Sequence, residues 1–199
     1  MTILLLGLIL AAGPALAEPP ATGGPRIVRG TVTALAPDTV TVTTKDRRTV
    51  RVGLSKDWSA SVLRPIGVAD IAPGSFIGTA EMPQEDGSGR SLEVHVFPPG
   101  VKMGEGHYNW DLKPGSMMTN GTVGKVVANK KSRELDVSYA TGTRHIVVPP
   151  KVPIVQITPG AHTLVHPGVK VFLIASPTPA GGLITNSIAV GEHGVAPSM

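Results

Sequence analysis

An internal repeat is the feature that most limits how this chain can fold. The motif Gly-Thr-Val at residues 30–32 recurs at residues 121–123, and the alternating segment at residues 39–43 recurs at residues 134–139. The motifs keep their order along the chain at a separation of roughly 95 residues, which is the signature of duplicated structural units. The sequence therefore predicts two copies of one small domain.

The composition of both copies favours strands over helices. The chain contains 24 Gly and 19 Pro, and Pro in particular breaks the interior of a helix. Apolar and polar residues alternate between the turns, which is typical of strands with one buried face. Five such strands fall within residues 27–98 and five within residues 119–191. Because a sheet of this size must curl to close its apolar face, we expect an all-β fold of two tandem five-stranded OB-like small barrels.

The order of the motifs resembles that of a known group of domains. Gly-Thr-Val at residues 30–32 and the Thr-Val strand at residues 39–43 are followed by Ala-Asp-Ile-Ala-Pro-Gly at residues 69–74 and by a final alternating strand. In this order they resemble the small OB-like domains of bacterial envelope proteins, many of which form a family of unknown function. The resemblance covers both copies and implies extracytoplasmic binding or interaction modules that have no established catalytic residues.

The first 17 residues are typical of a secretory signal peptide. An apolar run at residues 3–12 is followed by Ala-Leu-Ala at residues 15–17, which is the small-residue pattern of a cleavage site. We therefore expect cleavage near Ala17 and a periplasmic or secreted mature protein. Pro and Gly interrupt every later apolar stretch before it reaches the about 20 residues that a spanning helix needs, so we expect no transmembrane segment in the mature chain.

Charge and residue counts exclude several classes of function. The formal net charge is +4, with 16% charged and 4% aromatic residues, which does not match the basic, aromatic surface of a nucleic-acid-binding protein. The chain contains no Cys, so disulfides and thiolate zinc sites are ruled out. The sequence contains neither a nucleophile elbow nor a carboxylate pair in an apolar segment, the two patterns that would indicate a catalytic centre. The sequence predicts a non-enzymatic protein that does not bind nucleic acid.

The segment at residues 99–118 joins the two copies, and we expect it to be an ordered connector. A connection of this length is unusual unless it is functional or disordered, and disordered segments are poor in aromatic residues. The connector contains His107, Tyr108, Trp110 and Asp111. Two interpretations remain open. Trp110 packs the connector onto the barrels, or these four residues form a surface that binds a ligand or a partner protein.

Met and His residues support an alternative function, because thioether and imidazole groups suit Cu(I). The candidate ligands are Met103, His107, Met117 and Met118 in the connector, and His162 and His166 in the second copy. The favoured prediction is a non-enzymatic extracytoplasmic binding or protein-interaction module of the bacterial envelope. It needs no cofactor, and its partner is an unidentified envelope protein or small ligand. The alternative is a periplasmic protein that binds or handles copper through these Met and His side chains.

Overall fold

The structure, a computed structural model, describes residues 23–128 and 133–198. Residues 1–17, the predicted signal peptide, lie outside the described residues. The described chain is nearly all β, as predicted, and its 3-10 turns are at Val68–Asp70 and His162–Leu164. The strands are β1 (Arg26–Ala36), β2 (Thr39–Thr44), β3 (Thr49–Pro65), β4 (Phe76–Pro83), β5 (Gly89–Val96), β6 (Gly106–Asn109), β7 (Met117–Ala128), β8 (Arg133–Tyr139), β9 (Gly142–Val147), β10 (Ile154–Gly160), β11 (Lys170–Pro177) and β12 (Leu183–Gly191).

Five strands close the first barrel: β1, β2, β3, β11 and β12. β1 pairs antiparallel with both β2 and β11, and the parallel pairing of β3 with β12 closes the ring. Because strand side chains alternate between faces, every second residue points inward. The buried core consists of Val28, Val32, Val40, Val42, Val52, Leu54, Ala60, Val165, Val171, Leu173, Ala175, Ile188 and Val190.

The second barrel consists of β4, β5, β7, β8 and β9. It repeats the strand order of the first barrel, because β7 pairs antiparallel with β4 and β8 and β5 pairs in parallel with β9. The closing contact is short, since only Gly89 and Arg90 of β5 pair with β9. The buried core consists of Val68, Ile71, Ile77, Val94, Val96, Val123, Leu135, Val137, Ile146, Val148 and Ile154.

Each barrel takes strands from both halves of the chain. Residues 27–98 supply β1, β2 and β3 to the first barrel but β4 and β5 to the second. Residues 119–191 supply β7, β8 and β9 to the second barrel but β11 and β12 to the first. The two segments that the sequence predicts as separate barrel domains therefore do not each close a barrel. The structure corrects this division, because the last two strands of the two halves are exchanged.

The length of β3 gives a physical reason for the exchange. β3 runs for 17 residues, or about 56 Å at the usual rise per residue. Its first residues pair with β2, and its last residues pair with β10. The sequence predicts an irregular connection after Val52, whereas the strand continues to Pro65. β3 also pairs with β12 as far as Leu63, so the chain leaves the first barrel only at the far end of this strand, where it lies beside β10.

The corresponding strand of the second half is interrupted. β9 ends at Val147 and β10 begins at Ile154, and Pro149, Pro150 and Pro153 lie between them. Proline cannot donate to a sheet ladder, so the strand stops there. β10 then pairs in parallel with β5 and antiparallel with β3, which joins the barrels into one sheet. A third apolar cluster beside β10 contains Leu63, Val155, Phe172 and Ala189, with Ile27, Trp110, Ile157 and Val195 packed against it.

Candidate functional site

The predicted connector contains a strand of its own. β6 pairs antiparallel with the start of β7, so that His107 lies beside Thr119 and Tyr108 beside Met118. β7 begins at Met117, inside the segment predicted as connector. Because side chains alternate along β6, His107 and Tyr108 face opposite sides of the sheet. The predicted surface residues are therefore divided between two environments.

Trp110 and Asp111 attach the connector to the first barrel. The half-buried Trp110 packs against the third apolar cluster. The Arg29 guanidinium carbon lies 5.8 Å from the Trp110 ring centroid and 5.3 Å from that of Phe172. Arg29 Nη1 also lies 2.8 Å from Asp111 Oδ1. A guanidinium that contacts aromatic rings and a carboxylate together holds a fixed position. These contacts favour the packing interpretation for Trp110 and Asp111.

Tyr108 attaches the other face of the connector to β7. The residue is 37% exposed, yet its hydroxyl donates to the Gly104 carbonyl at 3.1 Å and accepts from Asn120 Nδ2 at 3.1 Å. The same Asn120 nitrogen donates to the Met103 carbonyl at 3.1 Å. Burial of the hydroxyl raises the pKa of Tyr108. The hydroxyl is therefore engaged within the protein, and the exposed part of the side chain is free to contact another molecule.

His107 belongs to a polar cluster at one end of the second barrel. The fully buried Glu81 accepts a hydrogen bond from Arg144 Nε at 2.8 Å through its Oε1 atom. His107 Nδ1 lies 3.7 Å from the same oxygen and 2.8 Å from the Thr119 hydroxyl. Sequence reasoning found His107 but missed Glu81 and Arg144, because these two residues are 63 positions apart and neither forms a motif.

Burial shifts the two pKa values of this cluster in opposite directions. Burial raises the pKa of Glu81, against the opposing hydrogen bond and charge of Arg144. Burial also lowers the pKa of His107, and the charge of Arg144 lowers it further. Glu81 Oε2 has no hydrogen-bond partner within the described part of the chain. It fills the space above Gly89, where a Cβ would lie 1.6 Å from it. Glu81 is closed to solvent and is therefore out of reach of a dissolved reactant.

A second buried ionisable pair lies on the outer face of the second barrel. The side chains of Glu93 and His95 are 3% and 5% exposed, and His95 Nδ1 lies 3.1 Å from Glu93 Oε1. His95 also covers Gly78, where a Cβ would lie 2.1 Å from its Nε2. Alternation next to the inward Val94 places these side chains outside the barrel. The sequence did not point to Glu93 and His95, because polar residues that face out of a barrel are expected to be solvated. The alternating pattern also does not show that the connector covers the outer face of this barrel.

The predicted copper ligands of the connector do not share one side of the sheet. Met117 and Met118 are consecutive in β7, so their side chains point to opposite faces. Met118 is buried, whereas Met103 is 61% exposed. His107 lies on the face that carries Thr119 and Glu81. Met117 shares that face because it lies two residues from Thr119 in β7, whereas Met118 lies on the opposite face, so the four candidates do not form one group.

The other two predicted ligands lie near the first barrel. The His162 ring stacks on Trp58 with centroids 4.0 Å apart, and its Nε2 lies 2.9 Å from the Trp58 carbonyl oxygen. His166 Nδ1 lies 3.0 Å from the carbonyl oxygen of Pro167. Across residues 23–128 and 133–198, no group of three or more His, Asp or Glu side chains is arranged to hold a metal ion.

A cleft of about 590 Å³ opens where the chain leaves the second barrel after β5. β5 and β10 pair in parallel as far as Val96 and Gln156 and then separate. The Gln156 amide donates to the carbonyls of Val96 and Phe97 at 3.1 and 3.3 Å, which fixes the point of separation. The residues that line the cleft are Pro73, Gly74, Ser75, Phe76, Val96, Phe97, Pro98, Pro99, Gly100, Val101, Lys102, Gln156, Ile157, Thr158 and Pro159.

The lining of the cleft is mainly apolar and carries a single charge. Lys102 is the one ionisable residue in it, and its Nζ lies 6.0 Å from the Phe76 ring centroid. Phe76 and Phe97 are in contact, with centroids 5.4 Å apart. Thr158 Oγ1 is buried and has no hydrogen-bond partner in the described chain. The volume of the cleft lies within the range of small-molecule sites. The sequence did not predict it, because three separated segments form it.

No helix in the described residues is long and apolar enough to cross a membrane. Function has to be inferred from the cleft and the polar clusters, because comparison of the chain with family models, with curated proteins and with solved structures finds no match.

Proposed function

We propose that this protein is a non-enzymatic, extracytoplasmic binding module that takes a small apolar ligand in the cleft between the connector and β10. The observation that carries the proposal is the cleft itself. Its volume of about 590 Å³ falls within the roughly 300–1,000 Å³ of small-molecule sites. Apolar ligand surface that enters such a cleft is removed from water, which contributes about 25 cal/mol per Å² before the costs of binding are subtracted.

The positions of the ionisable groups support binding rather than catalysis. Glu81 and His107 have shifted pKa values, but neither lines the cleft. The polar side chains that do line it are Ser75, Lys102, Gln156 and Thr158. General acid–base catalysis needs a tuned acid or base within hydrogen-bond reach of the reacting group. These residues are suited to orienting a ligand, and they include no carboxylate or imidazole.

The architecture also supports a binding role. In the first barrel β3 lies parallel to β12, and in the second barrel β9 lies parallel to β5. Five-stranded closed sheets of this kind are similar to OB-folds, which serve as binding modules. Each half of the chain repeats the order of three strands, a 3-10 turn and two strands, with the third strand of the second half interrupted into β9 and β10. This recurrence supports the tandem repeat. The resemblance to envelope domains and the expected signal peptide support a location outside the cytoplasm.

Titration with the neutral fluorescent probe N-phenyl-1-naphthylamine tests the proposal. We expect saturable binding with one probe per protein. Val101→Glu places a charge in the cleft lining and should abolish binding. The matched control is Leu35→Glu, because Leu35 is also a partly exposed apolar residue but does not line the cleft. Leu35→Glu should leave binding unchanged. Non-saturable binding, or equal loss in both variants, would contradict the proposed site.

A further inference from the structure

We infer that the natural ligand of the cleft is an amphiphile with one apolar chain and one carboxylate, and that Lys102 binds the carboxylate. This inference rests on the proposed function and specifies the chemical class of its ligand. It depends on the charge of the lining, on the arrangement of its apolar part and on an unpaired hydroxyl in its wall.

The charge of the lining selects an anion. Lys102 is the single charged side chain among the lining residues, and within residues 23–128 and 133–198 no carboxylate forms an ion pair with it. Its ammonium lies near the face of Phe76 at 6.0 Å from the ring centroid. An ammonium in this position keeps its hydrogen-bond donors available, because a ring face accepts none of them strongly. A ligand anion at the mouth of the cleft would therefore meet an unneutralised positive charge.

The apolar part of the lining selects a chain rather than a polar ligand. Phe76 and Phe97 form one wall, and Val101 follows in the connector. These side chains offer no hydrogen bonds. A polar ligand group in contact with them would lose its hydrogen bonds to water and form no others in exchange. A sugar or a nucleoside would pay this cost at several atoms, whereas a hydrocarbon chain would not.

The Thr158 hydroxyl is a second polar group in the lining. Its oxygen is buried without a hydrogen-bond partner in the described chain, which is uncommon and costs free energy. Thr158 lies in the same lining as Lys102. A carboxylate has two oxygens that accept hydrogen bonds, so it suits a lining whose side-chain donors include an ammonium and a hydroxyl. A ligand that ends in an alcohol would leave the Lys102 charge unpaired.

The effect of Lys102 on affinity is expected to be modest because the lysine is exposed. An ion pair at such a site changes an affinity by about 1.5- to 5-fold at low salt. Salt weakens this contribution, since the Debye length falls from about 30 Å at 0.01 M to about 8 Å at 0.15 M. The effect of Lys102 on affinity should depend on the charge of the ligand and on the salt concentration. This dependence separates it from the contribution of apolar contacts.

The experiment compares dodecanoate with 1-dodecanol, both below the concentration at which they aggregate, by displacement of N-phenyl-1-naphthylamine from the full chain. Lys102→Met removes the charge and keeps the length of the side chain. Lys113→Met is the matched control, because Lys113 is another exposed connector lysine that does not line the cleft. We expect Lys102→Met to weaken dodecanoate binding about two- to fivefold at low salt and to leave dodecanol binding unchanged. Lys113→Met should change neither.

The outcomes separate this inference from the proposed function. If dodecanol and the probe bind saturably but Lys102→Met does not discriminate between the two ligands, the cleft is an apolar site and the carboxylate inference is wrong. If dodecanoate weakens equally in Lys102→Met and Lys113→Met, the effect is general electrostatics and the inference is also wrong. If neither ligand nor the probe binds saturably, the proposed function fails.

Discussion

Removal of Arg144 should leave the Glu81 carboxylate buried without its ionic partner. Arg144 is 15% exposed and Glu81 is fully buried, and loss of one member of a buried pair costs about 3–5 kcal/mol. Arg144 also donates to the carbonyls of Gly87 and Ser88 at 2.7 and 3.1 Å, and each of these bonds contributes about 1 kcal/mol. We expect Arg144→Met to lower the free energy of unfolding by about 5 kcal/mol near pH 7.5.

The pH dependence identifies the cause of this loss. Burial raises the pKa of Glu81, and Arg144 opposes the shift, so the variant raises that pKa further. A raised pKa in the folded state favours folding below the unfolded-state pKa, and this advantage is lost as pH rises through the folded-state pKa. Urea unfolding should therefore show a smaller penalty, about 1–2 kcal/mol, near pH 4. Glu81→Gln in the same chain should recover part of the loss at pH 7.5. An equal penalty at both pH values would refute the reasoning.

Three further predictions concern the same region. Gly89→Ala should destabilise the fold by about 3 kcal/mol, because the added Cβ would meet Glu81 Oε2. Gly124→Ala is the control and should have little effect, because the atom nearest to the added Cβ lies 3.8 Å away. Equal melting temperatures of the two variants would contradict this prediction. Trp110→Ala should cost about 2 kcal/mol in urea unfolding, less than a fully buried aromatic residue, and an unchanged midpoint would show that the ring packs on nothing. The pKa of His107 is lowered in the folded protein, so its stabilising contribution should be lost as pH falls below about 6.5. His107→Gln should therefore flatten the dependence of the free energy of unfolding on pH between about 7 and 5.

The strands were predictable from the sequence, but the pairing of the halves was not. Alternating Val and Thr residues at 39–43 specify a strand with one buried face, and β2 lies there. The predicted repeat indicates which strands are equivalent. It does not show which copy each strand pairs with, because the exchanged and unexchanged barrels bury the same side chains. The deciding feature is the unbroken course of β3 to Pro65, and residues 53–65 do not alternate strictly enough to predict it.

The candidate site was predictable only where residues are adjacent in the chain. The sequence indicated the connector because Tyr108 and Trp110 lie close together in it. The structure places both residues against the barrels. The cleft depends on Lys102 and Thr158, which are distant in sequence and are brought together by the separation of β5 from β10. Such a site follows from tertiary topology, and local patterns carry no information about it.

The exchange of strands places β10 of the second half beside β5 of the first half and so creates the cleft. The chain has no Cys, so a crosslink between two introduced cysteines is unambiguous. Thr31 and Lys170 are Cα partners in β1 and β11, at a separation suited to a disulfide. In unexchanged barrels the partner of Thr31 would be Phe76, since Phe76 pairs with Thr122, the counterpart of Thr31 in the repeat.

Oxidation of the two double variants, followed by non-reducing electrophoresis and mass spectrometry of the monomer, tests this claim most directly. We predict that Thr31→Cys/Lys170→Cys forms an intramolecular disulfide and that Thr31→Cys/Phe76→Cys does not. A disulfide in the second variant and none in the first would contradict the exchange, and the basis of the cleft with it.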